Sequence, residues 1–486
     1  MRRNACPPAR KAPKLVRDLV VLAGGQLATK VIAVAAFAVL ARTLDPERYG
    51  VAEYMVGLAA FLAMAIDCGL GPIGVRRVAQ SRAQLPLLAT QIPLARMVVA
   101  LITIPMMVVG VTAFGPANVP GGLVWLLAAS LLLAPVNQDW LLQSAELMAQ
   151  VALGHMLRAL AFAAAVLLLV RGPADVVAIG WAELAAAAVA GLYYLGIQHF
   201  KVTPIRLSFS MPHAIGLIRE GAAVGLSTFV WAAAQYMPLF LIGSLVGGAQ
   251  VGWYAAAQRL GTSISMFGFV YHFNLYPALA RSAAGSNSEF SKLLRTSFRV
   301  TAWGSIGLAL GLMLAAEPVL TVIFGERFSV AATSLQILVW AIPVMFLSGH
   351  ARGALIVIGA QKYVLYAQIA GLATAVLAGV PLVSLFAEVG AAAAAVASSI
   401  VVWIFSHIAA VKLAAPLPRL ALIVKPLVLA AVLGIAARYM DLTLLVNALG
   451  GIALFSMAAP ILDRTLVSDL IDLAHAKGTG LPPQAP

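Results

Sequence analysis

Five basic side chains interrupt long apolar stretches of the sequence, where their chemistry would be the binding of anions. They are Lys30, Arg96, Arg158, Arg259 and Arg352. A charge at the centre of a bilayer costs at least about 2.5–3.5 kcal/mol, so it normally faces a polar cavity or an opposite charge. Lys30 lies near the middle of its stretch and Arg259 in the outer half of its own. We predict that both bind an anionic group such as a phosphate or diphosphate, arginine as a bidentate fork and lysine as a point charge.

Arg158 and Arg352 are further candidates for binding the same anion, and Arg96 is placed similarly. All three lie nearer the predicted cytoplasmic ends of their stretches. There the alternative is that a long basic side chain extends along apolar surface until its charge reaches the lipid headgroups. Both roles stay open for these three residues.

Three acids in comparable stretches could carry a coupling proton or Na⁺. They are Asp67, Asp139 and Glu183. The alternative is that each acid neutralises a neighbouring base, including the two central cations. For Asp67 the sequence favours that structural role, with Arg76 or Arg77 as the nearby partner.

The composition places these residues in a membrane protein. Of 486 residues, 62% are apolar and 10% are charged, and the mean hydropathy is +0.96. Soluble domains are nearer half apolar and about a quarter charged. The net charge of +14 would suit a nucleic-acid partner, but nucleic-acid binders carry their bases on a polar surface. Here uncharged runs such as residues 114–138 separate the bases, so we predict no nucleic-acid partner and exclude a soluble or disordered basic chain.

Fourteen stretches have the length and apolar character of a transmembrane helix, which needs about 20 residues. This predicts an all-α, polytopic fold of about 14 helices. The first stretch is too long for a signal peptide, so we expect it to be retained. The predicted spans are 17–41, 51–74, 93–114, 121–142, 150–170, 176–197, 219–245, 253–277, 298–324, 331–358, 361–386, 389–412, 421–440 and 442–462.

The distribution of lysine and arginine predicts the orientation. With a cytoplasmic N-terminus, 22 of the 32 bases fall in cytoplasmic loops and tails and five in outer loops. This bias agrees with the positive-inside rule. We therefore predict that both the N-terminus and the C-terminus are cytoplasmic.

The layout of the spans suggests two six-helix repeats. Outer turns end at Gly50 and Gly252, and Pro135 and Pro343 occupy matching places in the two halves. Repeats in a transporter place the binding site between the halves, although any long helical membrane protein can show such coincidences. The predicted organisation is a disordered basic tail at 1–14, an N-terminal lobe at 15–200, a C-terminal lobe at 201–412, two extra helices at 413–463 and a cytoplasmic tail at 464–486.

Motifs for cofactors and metals are weak. Gly69, Gly71 and Gly74 match G-x-G-x-x-G, but this dinucleotide motif requires a preceding strand and a later acid. The seven histidines show no metal-binding spacing, and Cys6 and Cys68 are too few for a disulfide framework. We expect no cofactor and no metal, apart from coupling to H⁺ or Na⁺.

A series of short motifs resembles the polysaccharide flippases. The first outer turn, ARTLDPERYG at 41–50, is similar to their A-R-x-L-G-P-E-x-Y-G, with Asp45 in place of the usual glycine. The other matches are DCGL at 67–70 followed by Arg76 and Arg77, Y-x-x-A-x-R-L at 254–260, Y-P-x-L-x-R at 276–281, P-x-L-x-x-x-F-G-E-x-F-x-x-A at 318–331 and GAQK at 359–362. Their order across residues 15–412 resembles the polysaccharide, O-antigen-type branch of the multidrug/oligosaccharidyl-lipid/polysaccharide exporter superfamily.

The resemblance implies a fold and a function. The fold would be two six-helix lobes in a V shape around a cationic cavity, with two extra C-terminal helices. The function would be alternating access that moves a lipid-diphosphate-linked glycan to the outer leaflet. In the related peptidoglycan-precursor flippases, cations on the first and eighth helices line the cavity, and Lys30 and Arg259 fall on those helices here.

We therefore expect a transporter rather than an enzyme, in the bacterial cytoplasmic membrane. It would carry undecaprenyl-diphosphate-linked oligosaccharide for lipopolysaccharide or exopolysaccharide synthesis, contacting membrane lipids and other assembly proteins. A cation-coupled drug exporter of the same superfamily is the alternative, which would favour acids over bases in the cavity. A membrane glycosyltransferase or polymerase would need a large outer loop with paired carboxylates. A non-transporting scaffold for polysaccharide assembly stays open.

Overall fold

The computed structural model describes residues 12–116, 118–205, 210–413, 415, 417–440 and 444–476. These residues form helices and short connections, and no strand occurs among them. Their contacts divide them into two compact units. Unit 1 takes in the described residues of Met1–Leu44, Met55–Ala113 and Asn118–Phe229, and unit 2 those of Asp45–Tyr54, Phe114–Ala117 and Val230–Pro486.

The described residues up to Leu245 form nine α-helices. They are α1 (Ala12–Thr43), α2 (Pro46–Asp67), α3 (Leu70–Gln80), α4 (Leu85–Phe114), α5 (Gly121–Leu132), α6 (Asp139–Ser144), α7 (Met148–Leu169), α8 (Ala178–Ile197) and α9 (Met211–Leu245). The fourth predicted span is broken between α5 and α6, where Pro135 lies in a single 3-10 turn. Proline removes a backbone donor, so an interruption at this position is expected.

Ten more α-helices follow among the described residues of unit 2. They are α10 (Gly248–Gly285), α11 (Asn287–Leu314), α12 (Ala316–Phe324), α13 (Ala332–Leu338), α14 (Ala341–Val357), α15 (Gln361–Leu377), α16 (Gly379–Lys412), α17 (Val424–Tyr439), α18 (Leu444–Leu462) and α19 (Thr465–Ala476). Within α16 the backbone leaves the helical region at Ala387, with φ of 46°. This break separates the predicted spans 361–386 and 389–412.

The predicted all-α membrane fold is confirmed, and each of the fourteen predicted spans overlaps helix in the described residues, some of them across a break. Among the described residues, eleven helical segments are long and apolar enough to cross a membrane. A bent pair, Val446–Leu462 with Thr465–Ile471, raises the number to twelve. Two predicted spans fall short of this threshold, since α10 is interrupted by polar side chains and α15 has only 17 residues.

The unit boundary lies inside α9, after Phe229, whereas the sequence placed the lobe boundary at 200/201. The first half of α9 packs against the start of α3 in unit 1. A Cβ atom on Gly69 would lie 2.6 Å from both the Gly221 carbonyl oxygen and the Gly225 amide nitrogen. Small residues spaced four apart allow such close helix packing, and it groups this half of α9 with unit 1.

The first outer turn is grouped with unit 2 for a similar reason. A Cβ atom on Gly50 would lie 2.6 Å from the backbone nitrogen of Gly252, at the start of α10. These are the two glycines that end the turns predicted to be repeated. The turns therefore pack against each other within unit 2, backbone to backbone.

The C-terminal segment predicted as a tail at 464–486 contains helix α19, which meets α18 at a 99° bend. Arg299 of α11 holds this helix, with its Nη1 donating to Asp469 at 2.6 Å and its Nε 3.5 Å from Asp463. Burial would raise the pKa of the Asp463 carboxyl, but a hydrogen bond from Thr465 and the charge of Arg299 outweigh it and lower that pKa.

The other predicted tail, 1–14, lies mostly outside the described residues. Helix α1 begins at Ala12, so the last three residues of that range are helical rather than disordered. Residues 477–486 of the C-terminal tail also lie outside the described chain.

Candidate functional site

Arg259 is held by a carboxylate within unit 2. Its Nε and Nη2 donate to the two carboxylate oxygens of Glu53, each at 2.5 Å. Tyr49, one turn earlier on α2, donates its hydroxyl to the same carboxylate at 2.6 Å. The side chains of Glu53 and Arg259 are 7% and 21% exposed. The pair is thus nearly buried and bidentate, which is the strongest geometry for an arginine–carboxylate contact.

Pairing of Arg259 with an acid was the alternative that the sequence left open, with Asp67, Asp139 and Glu183 as examples. The structure provides an acid outside that set, Glu53. Glu53 lies inside the second predicted span, so the rule applied to the in-span bases would have singled it out as well. Its spacing from Tyr49, four residues along one helix face, was a second signal.

Asp67 in unit 1 is also paired, with a base other than the two expected. Arg96 of α4 donates to Asp67 through one guanidinium nitrogen and to the Asn137 carbonyl at 2.5 Å through another. The expectation that Arg76 or Arg77 pairs with Asp67 was wrong. The helix is interrupted by positive φ angles at Cys68 and Gly69, so α3 does not continue the helical spacing of α2.

Arg76 and Arg77 bind a different acid of unit 1. Both donate to Glu220 in the first half of α9, Arg76 at 2.7 Å and Arg77 at shorter range. Glu220 was not singled out from the sequence, because it is the second residue of the predicted span 219–245 and so lies at its predicted cytoplasmic end.

Arg158 and Glu183 neutralise each other. Arg158 of α7 donates to Glu183 of α8 at 2.9 Å. One was predicted to bind substrate and the other to carry an ion, and the structure places both in one ion pair. Asp139 accepts from its neighbour's amide, Trp140 N, at 2.8 Å and makes no ion pair within the described part of unit 1.

A polar cluster in unit 1 surrounds that pair. His155 of α7 interacts electrostatically with Asp139 and Arg158. Gln26 of α1 donates its amide to His155 Nδ1 at 2.8 Å. Lys30 lies one helical turn beyond Gln26 and is exposed. Because Lys30 belongs to unit 1 and Arg259 to unit 2, their joint binding of one diphosphate stays a prediction.

Arg352 differs from the other candidate arginines. Within the described chain it makes neither a hydrogen bond nor an ion pair, although it is only partly exposed. Its side chain lines a pocket of about 180 Å³ between α10 and α14 in unit 2. The lining residues are His272, Tyr276, Leu279, Gly349, Arg352, Gly353 and Ile356.

A chain of hydrogen bonds fixes one wall of this pocket. His272 Nε2 donates to the Phe346 carbonyl at 2.7 Å, and His350 Nδ1 donates to the same oxygen at 3.1 Å. His350 Nε2 therefore accepts from Ser297 at 2.7 Å, and Ser297 in turn accepts from the Tyr271 hydroxyl at 2.7 Å. The two histidine rings meet edge to face, 4.8 Å apart.

Comparison with known proteins identifies the family. The model of the family described as "Polysaccharide biosynthesis protein" matches residues 15–283, more than half of the chain. The chain belongs to this family. A curated relative from Escherichia coli (strain K12), named "Putative O-antigen transporter", is 21% identical over 385 residues, which cover 78% of this chain and 92% of the relative.

The solved structures with the same fold are membrane transporters. The lipid II flippase MurJ, in an inward closed conformation, has a TM-score of 0.72 at 11% identity, covering 92% of this chain and 100% of MurJ. An inward-facing multidrug resistance transporter of the MATE family and MOP superfamily has a TM-score of 0.62 at 16% identity, covering 80% and 95%. The resemblance drawn from the sequence motifs is confirmed: this is a multi-pass membrane protein of the polysaccharide biosynthesis family with the fold of that transporter superfamily.

Proposed function

We propose that this family member is a flippase that moves undecaprenyl-diphosphate-linked oligosaccharide across the bacterial cytoplasmic membrane by alternating access. The observation that carries the proposal is the family match over residues 15–283, on a chain whose described part contains eleven helical segments long and apolar enough to cross a membrane. This architecture offers no separate soluble domain among the described residues for sugar chemistry, which argues against a glycosyltransferase. The fold shared with MurJ supports the same function.

Arg259 is the residue for which the structure suggests a way to take up the diphosphate. Its two donors already meet two oxygens of Glu53, which is also the geometry that a phosphate group accepts. We infer that Glu53 holds the guanidinium in place until an incoming diphosphate competes for it. Lys30 and Arg158 are the further residues that we propose to bind the anion, Arg158 only when it leaves Glu183.

The coupling of transport to an ion gradient would rest on Asp139. Among the three acids singled out from the sequence, Asp67 and Glu183 are occupied by Arg96 and Arg158, whereas Asp139 makes no ion pair with a described residue. A carboxylate in that state can take up H⁺ or Na⁺. The membrane potential alone contributes about 2.3 kcal/mol per charge per 100 mV.

The proposal also includes the orientation of the protein in the membrane and its partners. The N-terminus and C-terminus would be cytoplasmic, following the bias of lysine and arginine among the loops. The partners would be the lipid-linked oligosaccharide, the surrounding lipids and other proteins of polysaccharide assembly.

Transport in proteoliposomes tests the proposal. The purified protein is reconstituted with a fluorescent undecaprenyl-diphosphate oligosaccharide, and a membrane-impermeant quencher reports which leaflet holds it. We expect exchange between leaflets with the protein and none without it. The informative variant is the double replacement Glu53→Gln with Arg259→Gln, which leaves the buried site neutral. A folded double variant that still transports normally would overturn the role of Arg259.

A cation-coupled drug exporter is the second candidate, favoured by the fold shared with the MATE transporter. It predicts uptake of a cationic dye driven by an H⁺ or Na⁺ gradient, and loss of that uptake in Asp139→Asn. The same vesicles tested with dye and with lipid-linked oligosaccharide separate the two functions, since each candidate predicts transport of only one substrate.

A further inference from the structure

We propose that the pocket between α10 and α14 is a second anion site, in which Arg352 binds the phosphate group of a ligand. The pocket lies wholly within unit 2 and is lined by residues of only these two helices. It contains neither Arg259 nor Lys30, so it is separate from the residues assigned to the diphosphate above. The inference does not require that the protein be a flippase.

The first argument is the state of the Arg352 charge. Each of Arg96, Arg158 and Arg259 has a carboxylate partner within its own unit. Arg352 has no such partner among the described residues, and the side chain lines an open pocket instead. A charge in a helical membrane segment normally faces a partner or a polar cavity. Here the cavity is present and a counter-charge is lacking in the described chain, so an external anion would complete the site.

Extension of the side chain to the headgroups explains Arg352 less well. That behaviour needs only an apolar path and open water at its end. It does not require neighbouring helices to leave a pocket around the charge. Gly353, adjacent to Arg352, keeps this space open: a Cβ atom there would lie 3.3 Å from Leu279 across the gap.

The second argument is the fixed geometry of the wall facing Arg352. His272 packs so closely on Gly349 that a Cβ atom on this glycine would lie 2.2 Å from the imidazole. The Nε2 of His272 donates a hydrogen bond to the Phe346 carbonyl, and the imidazole rings of His272 and His350 pack edge to face. His272 is therefore a positioning residue. A wall held in this way keeps the pocket formed in the absence of a ligand, which lowers the cost of binding.

The lining indicates the chemistry of the ligand. Arg352 supplies a bidentate fork suited to phosphate oxygens, and the hydroxyl of Tyr276 is a further donor. Leu279 and Ile356 contribute apolar surface beside these donors. On the same measure a water molecule needs roughly 10–15 Å³, so 180 Å³ accommodates a phosphate or diphosphate but not an oligosaccharide. The combination fits a phosphate group that carries an alkyl chain, and it also admits free diphosphate.

Binding to the purified full-length protein in neutral-lipid nanodiscs tests the site. The probes are farnesyl diphosphate, inorganic diphosphate and, as the uncharged reference, farnesol. We expect Arg352→Gln to weaken binding of farnesyl diphosphate by roughly 10- to 100-fold, the value of one charge-assisted contact. The matched control is Arg281→Gln, which removes an exposed base from α10, the other helix of the pocket, at a position outside the lining. Unchanged affinity in Arg352→Gln, or an equal loss in Arg281→Gln, would overturn the proposal.

A second variant that fills the pocket tests the proposal even if Arg352→Gln does not fold. Gly353→Val should fill the pocket and weaken binding while Arg352 stays in place. Gly304→Val is its control, since a Cβ atom there meets nothing within 4 Å. Unchanged binding in Gly353→Val would count against the pocket. If inorganic diphosphate binds as tightly as farnesyl diphosphate, the ligand of the pocket is a free anion. If farnesyl diphosphate binds and inorganic diphosphate does not, the ligand is a lipid headgroup.

Transport separates this inference from the proposed function. Probe binding that depends on Arg352, in a protein that moves no lipid-linked oligosaccharide, would leave the pocket standing and reject the flippase. Normal transport, together with probe binding that is unchanged in Arg352→Gln, would reject the pocket and leave the flippase standing.

Discussion

Replacing Arg259 with glutamine should destabilise the protein by about 3–5 kcal/mol, because the change strands a buried carboxylate. Glu53 is only 5% exposed, so its charge cannot be solvated well once the guanidinium is gone. Two unit charges about 4 Å apart interact by roughly 4 kcal/mol at an effective dielectric constant of 20, which agrees with that range. Of the donors to the carboxylate among the described residues, the Tyr49 hydroxyl would remain. The double variant Glu53→Gln with Arg259→Gln should therefore be more stable than Arg259→Gln alone.

A double-mutant cycle measures this coupling. The free energy of unfolding is determined in mixed micelles for the parent, each single variant and the double variant. The control pair is Asp45 and Arg48, which lie in the same outer turn at 2.9 Å with side chains 33% and 49% exposed. For such an exposed pair we expect a coupling of about 0–1 kcal/mol. If the coupling of Glu53 with Arg259 were no larger than that of the control pair, the argument from burial would be refuted.

Two further predictions concern backbone packing and acid stability. Gly69→Ala should lower the free energy of unfolding by about 1–3 kcal/mol, since φ is 73° there and the new Cβ atom would lie 2.6 Å from backbone atoms. The control is Gly110→Ala, where a Cβ atom would have nothing within 4 Å. This variant should be neutral or slightly stabilising in the same unfolding assay. Because the pKa of Asp463 is lowered in the folded protein, its contribution to stability is present above the ordinary value of 3.8 and is lost as the pH falls below it. Proteolysis of α19 should therefore speed up near pH 3 in the parent, whereas Asp463→Asn should show less of this pH dependence; an unchanged dependence in that variant would contradict the assignment.

The membrane helices could be predicted because the bilayer imposes a length that is visible in composition alone. All fourteen predicted ranges overlap helix in the described residues, including the pair separated at Ala387. The unit boundary could not be found in this way. It depends on close backbone contacts such as that of Gly69 with Gly221, and the sequence of either helix does not reveal which other helix it meets.

The candidate site was predictable as a set of charges but not as a set of pairs. The cost of an in-span charge identified Arg259 and Asp67 from the sequence. Their partners, Glu53 and Arg96, are set by helix packing across 206 and 29 residues of chain. The pocket at Arg352 was beyond reach for the same reason, because it exists only where α10 and α14 leave a gap.

The mutual dependence of Glu53 and Arg259 has an evolutionary consequence. A lineage that loses the carboxylate leaves a buried cation, and one that loses the guanidinium leaves a buried anion, so each single change is costly while the joint change is not. Natural variation at positions 53 and 259 should therefore be correlated: homologues should keep both charges, exchange them or lose them together. Tyr49 should follow the acid, since its hydroxyl is bonded to that carboxylate. A pair that drifts independently across the family would show that selection does not act on this contact.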